Sequence, residues 1–558
     1  MLFRASFAFN KGMGHCRPLR SISISTFISI PAFYQAMQAK RHESYCLNFC
    51  RIEPKVTEIW GINYVNLGLK LLLTDIMYIS LLKKSLFLLL WATIPTVLSA
   101  QPALPSLGDR ISGTVSLEQE YAMGQQFLSS IRRSAPTISD PLLNTYLENV
   151  TYKLASRSQL KDHRLSFVII DSEALNAFAA PGGIIGVNTG LFLNAQTEAE
   201  FASVMAHEIA HVSQRHFARG IDEAQAGKIP QIATLLASVI IMATSDASHG
   251  TAAAAAAQGR ALENQLRFSR SNETEADRVG QDTMFNAGFD PDGMSTLFER
   301  LMAINRFGRR PPEFLLSHPL TESRISGSRG RAARYPRQQY SPNLEYQIVR
   351  ARVLGFYAPN KADLVLEFER RLELSSSDFT RDANRYGLAI AYNENEQYAL
   401  ASATLAPLLD KDPNRISYVV TQAEILTQQN EPGQAIDFLQ RHLAINPGNH
   451  ALTMAHVDAL IEARSYNAAA EIMERLSMDR PNDVQLWYQL AETQGQAGNI
   501  SKVHQARAEY FRLIADFQRA RQQLQLALKI ESDNGAAPAE EARLRQKIQE
   551  IENMQRNA

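Results

Sequence analysis

The sequence has few cysteines, and it places all of them near its amino terminus. Cys16, Cys46 and Cys50 are the only three in 558 residues. A disulfide framework is therefore excluded for the rest of the chain, whose stability must come from packed cores or from bound metal. An excess of one charge is also lacking, because 57 basic residues balance 57 acidic ones. This balance argues against a general nucleic-acid binder.

The first hundred residues are interpreted as material that the mature protein does not keep. Residues 1–76 show no pattern, which we attribute to a mis-assigned start, with translation beginning at or shortly after Met77. From 77 to 100, a basic segment, an apolar run and a small-residue end form a secretory signal peptide. The apolar run is short for a membrane span. Cleavage is expected between Ala100 and Gln101, so the mature chain is predicted to lie outside the cytoplasm.

One pentapeptide carries most of the chemical information. His207-Glu208-Ile-Ala-His211 matches the zinc-hydrolase pattern HExxH. Residues 197–206, just before it, contain neither glycine nor proline and predict a helix. Residues four apart share a helix face, so both imidazoles reach one metal ion and Glu208 can polarise a water bound to it. Roughly one chain in fifty of this length would carry the pattern by chance, so further ligands must support it.

The segment from Asn272 to Asp277, NETEAD, offers a third ligand. Glu273 and Asp277 are four apart and share a helix face. Glu273 can complete a site of two histidines and one glutamate with an open fourth position, and Asp277 can hold a ligand imidazole from behind. A solvated acidic helix face is the alternative for such a cluster. Glu275 is one residue out of step and is expected to point elsewhere.

These motifs together resemble the M48 family of zinc peptidases. The likeness extends over about residues 103–530, and several independent segments occur in the family's order. The matching segments are NAFAAPGGIIGVNTG at 176–190, HEIAH at 207–211, SRSNETEADRVG at 269–280, and SHPL at 317–320 with Arg324.

The resemblance implies a set of roles. His207, His211 and Glu273 would bind one zinc ion per chain, with Glu208 as the catalytic base; Asp277 keeps the role that its spacing indicates, behind a ligand imidazole. The implied reaction is peptide-bond hydrolysis. The implied substrates are stalled or misfolded outer-membrane β-barrel proteins, met in the periplasm at their assembly machinery. The alternative is a chaperone-like scaffold with a latent or mainly structural zinc site, although a structural site has no need of a base.

His318 has more than one candidate role. Pro319 biases it towards an extended backbone. It could donate to the oxyanion of the tetrahedral intermediate, or it could occupy the open position of the metal. A histidine of this kind is most often a surface residue in a loop, whereas the family resemblance implies an inhibitory fourth ligand. The remaining histidines, such as His163, His216 and His249, are interpreted as ordinary, and His216 is expected to face away from the metal.

A turn followed by a strand is predicted upstream of the pentapeptide. Ala180–Gly183 has turn residues, and Ile184–Val187 is apolar. An edge strand beside the metal helix can bind an extended substrate as an added strand. A plain core strand is the alternative, and the resemblance favours the substrate-binding edge for Gly183, Ile184 and Ile185.

Residues 229–257 form the stretch that is hardest to interpret. Two apolar segments, separated by a few polar residues, predict a helical hairpin between the two halves of the metal site. The alternatives are a buried helix pair, a surface that makes peripheral contact with a membrane, and a cover over the active site. The stretch is too short and too interrupted to be assigned as a membrane span.

The carboxy-terminal half of the chain repeats itself. Pro413, Pro447 and Pro481 are spaced 34 residues apart, which is the period of the tetratricopeptide repeat. Small residues recur in step and let paired helices pack closely. The fourth unit loses step at Val503. The small-residue series consists of Ala401, Ala435 and Ala469, and of Ala389, Ala423 and Ala491 with Val457 as the exception.

The predicted architecture therefore has two folded parts. An α+β zincin-like metallopeptidase domain occupies residues 101–340, and an all-α tetratricopeptide domain occupies 345–532. Residues 533–558 form a polar tail that is either a charged helix or disordered. Tetratricopeptide repeats stack into a curved surface that binds peptides or proteins and supplies no chemistry. By resemblance, the partner of this surface is the β-barrel assembly machinery.

Overall fold

The computed structural model describes residues 115–226, 270–307, 312–535 and 537–557. The predictions for the amino-terminal extension, the signal peptide and the 229–257 hairpin lie outside these residues. The chain divides into two units, 1–100 and 101–558, and the second holds every described residue. Among the described helices, none combines the length and the apolar character needed to cross a membrane.

The first part of the second unit mixes helices with one small sheet, which confirms the predicted α+β class. Its elements are α1 (Leu117–Ser134), α2 (Pro141–Ala155), β1 (Ser166–Ile170), β2 (Ala177–Ala180), β3 (Ile184–Asn188), α3 (Thr189–Asn194), α4 (Glu198–Ser213), α5 (His216–Ala226), α6 (Arg270–Asn286), α7 (Asp292–Phe307), α8 (Glu313–Ser317) and α9 (Glu322–Ala332).

The described strands form a sheet in the order β1-β3-β2. Ile184 of β3 lies opposite Ser166 of the parallel β1 and opposite Ala180 of the antiparallel β2. The prediction that Gly183, Ile184 and Ile185 form an edge strand is therefore wrong, because β3 is central and Gly183 belongs to the turn before it. Every residue of β3 is buried. Its continuous apolar run, without alternation, is typical of such a strand.

The sheet edge that faces the pentapeptide helix belongs to β2, which packs against α4. The Asn188 amide donates a hydrogen bond of 3.0 Å to the Asn176 carbonyl, and this bond sets the alternation along β2. The backbone groups of Ala177 and Ala179 then point away from β3. The outer edge of β2 therefore runs beside the helix that carries HEIAH.

Helix α4 lies in the interior of this first part, from α1 to α9, which corresponds to the predicted metallopeptidase domain and is called the peptidase part below. The Thr197 hydroxyl caps its first turn by accepting from the Glu200 amide at 3.2 Å. From Glu200 to His211 every residue is buried, as expected for a helix that other elements cover on all sides. The motif histidines are thus held on a rigid, enclosed element.

The second part of the unit is all-helical and built from antiparallel pairs, as predicted. Its helices are α10 (Leu344–Tyr357), α11 (Lys361–Glu373), α12 (Asp378–Glu394), α13 (Tyr398–Lys411), α14 (Ile416–Gln428), α15 (Pro432–Ile445), α16 (His450–Glu462), α17 (Tyr466–Asp479), α18 (Val484–Gln496), α19 (Ile500–Leu513), α20 (Phe517–Asp533) and α21 (Pro538–Asn557).

The 34-residue period appears in the backbone as well as in the sequence. Ala401, Ala435 and Ala469 are completely buried in the second helix of successive pairs. The turn within each pair contains a residue with left-handed backbone, and these residues are also 34 apart. They are Glu396, Asn430, Arg464 and Gly498, with φ of 59°, 62°, 56° and 78°.

The two parts of the unit share helix α10. Tyr346 and Val349 lie in the core of the peptidase part, whereas Ile348 and Ala351 lie in the first core of the repeats. Leu142 of α2 is in turn buried among repeat residues. The boundary predicted between 340 and 345 is thus the start of a helix that both cores use.

The polar carboxy-terminal segment is a helix within the described residues. Leu544 is 0% and Ile551 4% exposed, and both belong to one apolar cluster with α19 and α20. Of the two interpretations for this segment, the charged helix is the one the structure has.

Gly280 lets α6 approach α4 closely. A Cβ atom at this position would lie 3.2 Å from the Ala206 carbonyl carbon and 3.2 Å from the His207 amide nitrogen. These are backbone atoms of α4, the helix that carries HEIAH, and unlike side-chain atoms they cannot rotate away from the added carbon. The small residue therefore sets the distance between the two helices that supply the predicted ligands.

Gly280→Val is expected to destabilise the metal-free protein by about 1–3 kcal/mol, because the added carbons overpack the contact. Gly330→Val on α9 is the control, since a Cβ there meets nothing within 4 Å; its effect should stay within about 0.5 kcal/mol. Denaturant unfolding in the presence of a chelator measures both. Equal losses in the two variants would contradict the close-approach role.

Candidate active site

Four side chains from three separate segments converge in the buried interior of the peptidase part. His207 and His211 come from α4, Glu273 from α6, and His318 directly follows α8. One donor atom from each lies within 4.8 Å of the others. Within the described residues this is the group able to hold a metal ion.

The spacing of the donors fits zinc. The Nε2 atoms of His207 and His211 are 2.9 Å apart, and Glu273 oxygens lie 3.4 and 3.6 Å from them. His318 Nδ1 lies 3.3 Å from His207 Nε2 and 3.2 Å from a Glu273 oxygen. Tetrahedral ligands bound at about 2.1 Å are separated by about 3.4 Å. The nitrogen and oxygen donors are also the types that zinc prefers.

Asp277 and Arg324 support this group from behind. Asp277 Oδ1 lies 3.0 Å from His207 Nδ1, where the sequence predicted a carboxylate behind a ligand imidazole. Arg324 donates to both Asp277 oxygens at 2.7 Å, and its Nη1 lies 2.9 Å from Glu273. One guanidinium therefore contacts both carboxylates of α6.

The electrostatics of the group follow from these contacts. Burial opposes the charged form of His207, but Asp277 and Glu273 outweigh it and raise the pKa of His207 to about 9. Burial also opposes ionisation of Glu273, yet His318 and His207 hold its pKa well below the usual range. The pKa of Asp277 is lowered in the same way, against its burial, by Arg324 and His207.

Glu208 differs from the other acids of the site. It is buried, and one of its oxygens lies 3.5 Å from His318 Nε2. Burial raises the pKa of Glu208, while His318, His207 and a backbone hydrogen bond from Ala179 partly oppose the rise. A buried carboxylate with a raised pKa is suited to accept a proton.

His318 reaches the group through a short segment. Its ring stacks on Phe314, with centroids 4.7 Å apart, and its Nε2 lies 3.5 Å from a Glu208 oxygen. The Phe314 amide donates to the Leu175 carbonyl at 3.1 Å, and Leu175 comes just before β2. The segment that carries His318 therefore contacts both the base and the start of the β2 edge.

His216 is the clearest error of the sequence interpretation. It was expected to face away as an ordinary residue, yet it is buried and its Nδ1 lies 2.8 Å from His211 Nδ1. Helix α4 ends at Ser213, and Arg215 has a left-handed φ of 53°. The chain therefore turns at this point, and the spacing of a continuous helix does not apply to His216. Burial, together with the Arg219 charge, lowers the pKa of His216 to about 4.

Glu275 points away from the metal group, as expected, but it has a partner. Its Oε2 lies 3.2 Å from His216 Nε2 and accepts from Arg219 at 2.8 Å. The sequence carried a weak sign of this arrangement, namely a histidine and an arginine within eight residues of HEIAH. Their position depends on a turn that has neither glycine nor proline.

Comparison with known proteins identifies the same two regions. The model of peptidase family M48 matches residues 141–332, and a tetratricopeptide repeat model matches 426–502. A relative from Vibrio cholerae is 34% identical over 428 residues, which cover 76% of this chain and 88% of the relative.

Two further relatives are named beta-barrel assembly-enhancing proteases. The protein from Yersinia pestis is 32% identical, with 74% of this chain and 85% of the relative covered. The protein from Escherichia coli K12 is 32% identical, with coverages of 75% and 85%.

Arg324→Lys is expected to weaken zinc binding by about 10–100-fold, because a point charge cannot hold both carboxylates as the planar guanidinium does. Arg329→Lys on the same helix is the control, since Arg329 is exposed and pairs with Glu299 at the surface. Titration against a zinc chelator measures both. Unchanged zinc affinity in Arg324→Lys would mean that the contacts of Arg324 with Asp277 and Glu273 do not position the zinc ligands.

Proposed function

This chain belongs to peptidase family M48, whose members are zinc-dependent metallopeptidases, and from this premise we propose a specific function. The protein is a periplasmic zinc endopeptidase that degrades stalled or misfolded outer-membrane β-barrel proteins and assists their assembly. The observation that carries the proposal is the position of Glu208, a buried carboxylate beside four donor atoms suited to zinc.

His207, His211 and Glu273 are the proposed zinc ligands. When bound, the ion supplies a Lewis acid that polarises a peptide carbonyl and acidifies water. Glu208 takes the proton from the attacking water and delivers it to the leaving amine. Its raised pKa places it closer to the value that this exchange needs than an exposed glutamate would be.

The outer edge of β2 is the proposed substrate platform, in place of the central β3. Backbone groups of Ala177 and Ala179 line this edge next to α4, so an extended peptide can add to it as a further strand. Such pairing reads the peptide backbone rather than its side chains. That selectivity suits segments of unfolded β-barrel proteins, which differ in sequence but share the capacity to pair as strands.

The choice of substrate rests on two relatives and on the repeats. The relatives from Yersinia pestis and Escherichia coli are named for β-barrel assembly, and the tetratricopeptide region is a surface of the kind that binds proteins. The β-barrel assembly machinery is the proposed partner of that region. The periplasmic location rests on the signal-peptide pattern that ends at Ala100.

His318 is the proposed latch of the enzyme. Its Nδ1 faces the other three donors at ligand spacing, so it competes with water for the fourth position. The same segment ties Phe314 to Leu175 at the start of the β2 edge. In this state His318 occupies the open position of the metal, and Phe314 occupies the start of the substrate platform. Activity then requires the segment from 313 to 318 to move.

A second candidate function is a scaffold with a latent zinc site. The one observation that favours it is the place of His318 Nδ1 at ligand spacing from the other three donors. The buried base argues against it, because a structural site gains nothing from a buried carboxylate that is not a metal ligand. Loss of cleavage on changing only that carboxylate separates the two functions.

Glu208→Gln is expected to abolish cleavage of an unfolded β-barrel protein while zinc content and thermal stability stay near those of the parent, because the change removes the base and no ligand. Glu299→Gln, an exposed residue of α7, serves as the control. Proteolysis and bound zinc are measured on the same samples. Undiminished cleavage by Glu208→Gln would overturn the mechanism.

His318→Ala is expected to raise basal cleavage, self-cleavage included, because the fourth position becomes free. The oxyanion role predicts the opposite sign, with turnover lower by ~10²–10³. Gel-based proteolysis of matched zinc-loaded samples measures the change. The double variant with Glu208→Gln should be inactive and thereby excludes a contaminating protease. A loss of activity in His318→Ala, with zinc still bound, would eliminate the latch.

A further inference from the structure

We propose that His216 and Glu275 are positioning residues that hold the imidazole of His211 in the orientation and tautomer needed to bind the metal. The proposal rests on the proposed zinc site and adds two residues that are not ligands. It concerns how the chain prepares one ligand, and it is independent of which substrates are cleaved.

The geometry forms a continuous row of groups behind His211. His211 Nε2 faces the donor group, and its Nδ1 lies 2.8 Å from His216 Nδ1. His216 Nε2 lies 3.2 Å from Glu275 Oε2. The side chain of His216 is 0% and that of Glu275 10% exposed. Water is therefore largely excluded from the row.

The positions of the protons follow from the ligand role. A metal bound at Nε2 of His211 needs a lone pair there, so the proton of that ring is on Nδ1. His211 Nδ1–H then donates to His216 Nδ1, which must carry a lone pair. The proton of His216 is consequently on Nε2, from where it donates to the Glu275 carboxylate. Each group in the row has one consistent protonation state.

The row is anchored at its far end. Arg219 donates to Glu275 Oε2 at 2.8 Å and to Asn272 Oδ1 at 3.3 Å. Arg219 belongs to α5 and Glu275 to α6, so the anchor joins the two helices that flank His211. The carboxylate is thereby fixed in place to accept from His216.

The turn before α5 delivers His216 to this position. Arg215 lies within that turn; it donates to the Val115 carbonyl at 2.5 Å and contacts a Glu120 oxygen at 3.3 Å. Glu120 is itself buried. A left-handed, non-glycine residue held by buried partners is a conformation that the surroundings impose. His216 is thus positioned by the contacts of Arg215 before it and by helix α5, which begins at His216.

The two ligand imidazoles of α4 are supported differently. His207 has the Asp277 carboxylate at 3.0 Å, the usual partner of a metal-binding histidine. His211 instead contacts a second imidazole, that of His216, and His216 in turn contacts the Glu275 carboxylate. His216 therefore does for His211 what Asp277 does directly for His207.

The first experiment compares two substitutions of His216 by zinc competition titration. His216→Phe keeps the ring volume but removes the acceptor, and it is expected to weaken zinc binding by about 10–100-fold. His216→Asn loses volume, but its side-chain oxygen sits near the Nδ1 position and can still accept from His211. The expected order of zinc affinity is therefore parent, Asn, then Phe.

A packing role predicts the reverse order of the two variants, because Phe fills the site better than Asn does. His456→Phe in α16 is the matched control, since His456 is also a buried histidine but lies in the repeats. It should leave zinc affinity unchanged. Thermal unfolding of each metal-free variant shows separately whether a substitution alters the fold.

The second experiment tests whether Glu275 acts through His216. Glu275→Ala alone is expected to weaken zinc binding less than His216→Phe does. In the His216→Phe background, Glu275→Ala should lower the zinc affinity no further, because the contact between Glu275 and residue 216 is already lost. Independent, additive losses would overturn the proposal, as would parent-like zinc affinity in His216→Phe.

These outcomes are distinguishable from failure of the proposed function. If the parent chain bound no zinc, the zinc site itself would be wrong. If the parent bound zinc and the His216 and Glu275 variants bound it equally well, only the positioning role would be eliminated.

Discussion

The peptidase part depends on keeping two carboxylates ionised in its interior. Glu273 is 2% and Asp277 0% exposed, and an unpaired buried charge costs several kcal/mol. Arg324 stabilises both, and its Nη1 also donates to the Pro319 carbonyl at 2.9 Å. The same guanidinium thus neutralises the core of the site and holds the backbone next to His318. One side chain therefore joins the segment that carries His318 to the two carboxylates of α6.

The four donors of the site are carried by elements of very different length. His207, His211 and Glu273 lie on α4 and α6, two long helices that pack closely at Gly280. His318 follows α8, which has five residues. A short helix forms few contacts of its own, so its position depends on the groups at its two ends. His318, the proposed latch, therefore follows the shortest of these elements.

The repeats are more than an attached arm. Helix α10 contributes to the core of the peptidase part and to the first core of the repeats. Arg352 of α10 pairs with Asp140 before α2 and with Glu424 of α14. Removing the repeats would expose apolar surface of the peptidase part and leave the half-buried Asp140 without its Arg352 partner. The contacts of α10 therefore stabilise the peptidase part and the repeats together.

Local periodicity explains which features of the fold could be predicted. The helix through HEIAH, the pair Glu273 and Asp277 on one face, and the 34-residue repeat all depend on residues near one another in the chain. The place of β3 within the sheet could not be predicted in this way, because it depends on β1 pairing with the side of β3 that β2 leaves open. That pairing is between segments with a turn, a strand and a loop between them.

The error at His216 has a related physical cause. A helical extrapolation past His211 is reasonable, since neither glycine nor proline marks an end to α4. The helix nevertheless ends, because Arg215 gains the Val115 carbonyl and the buried Glu120 by adopting a left-handed backbone. Those partners lie about a hundred residues earlier in the chain, so the signal for the turn is tertiary. A charged side chain with distant buried partners can accompany the end of a helix where no glycine is present, and at this site the turn brings His216 behind the proposed ligand His211.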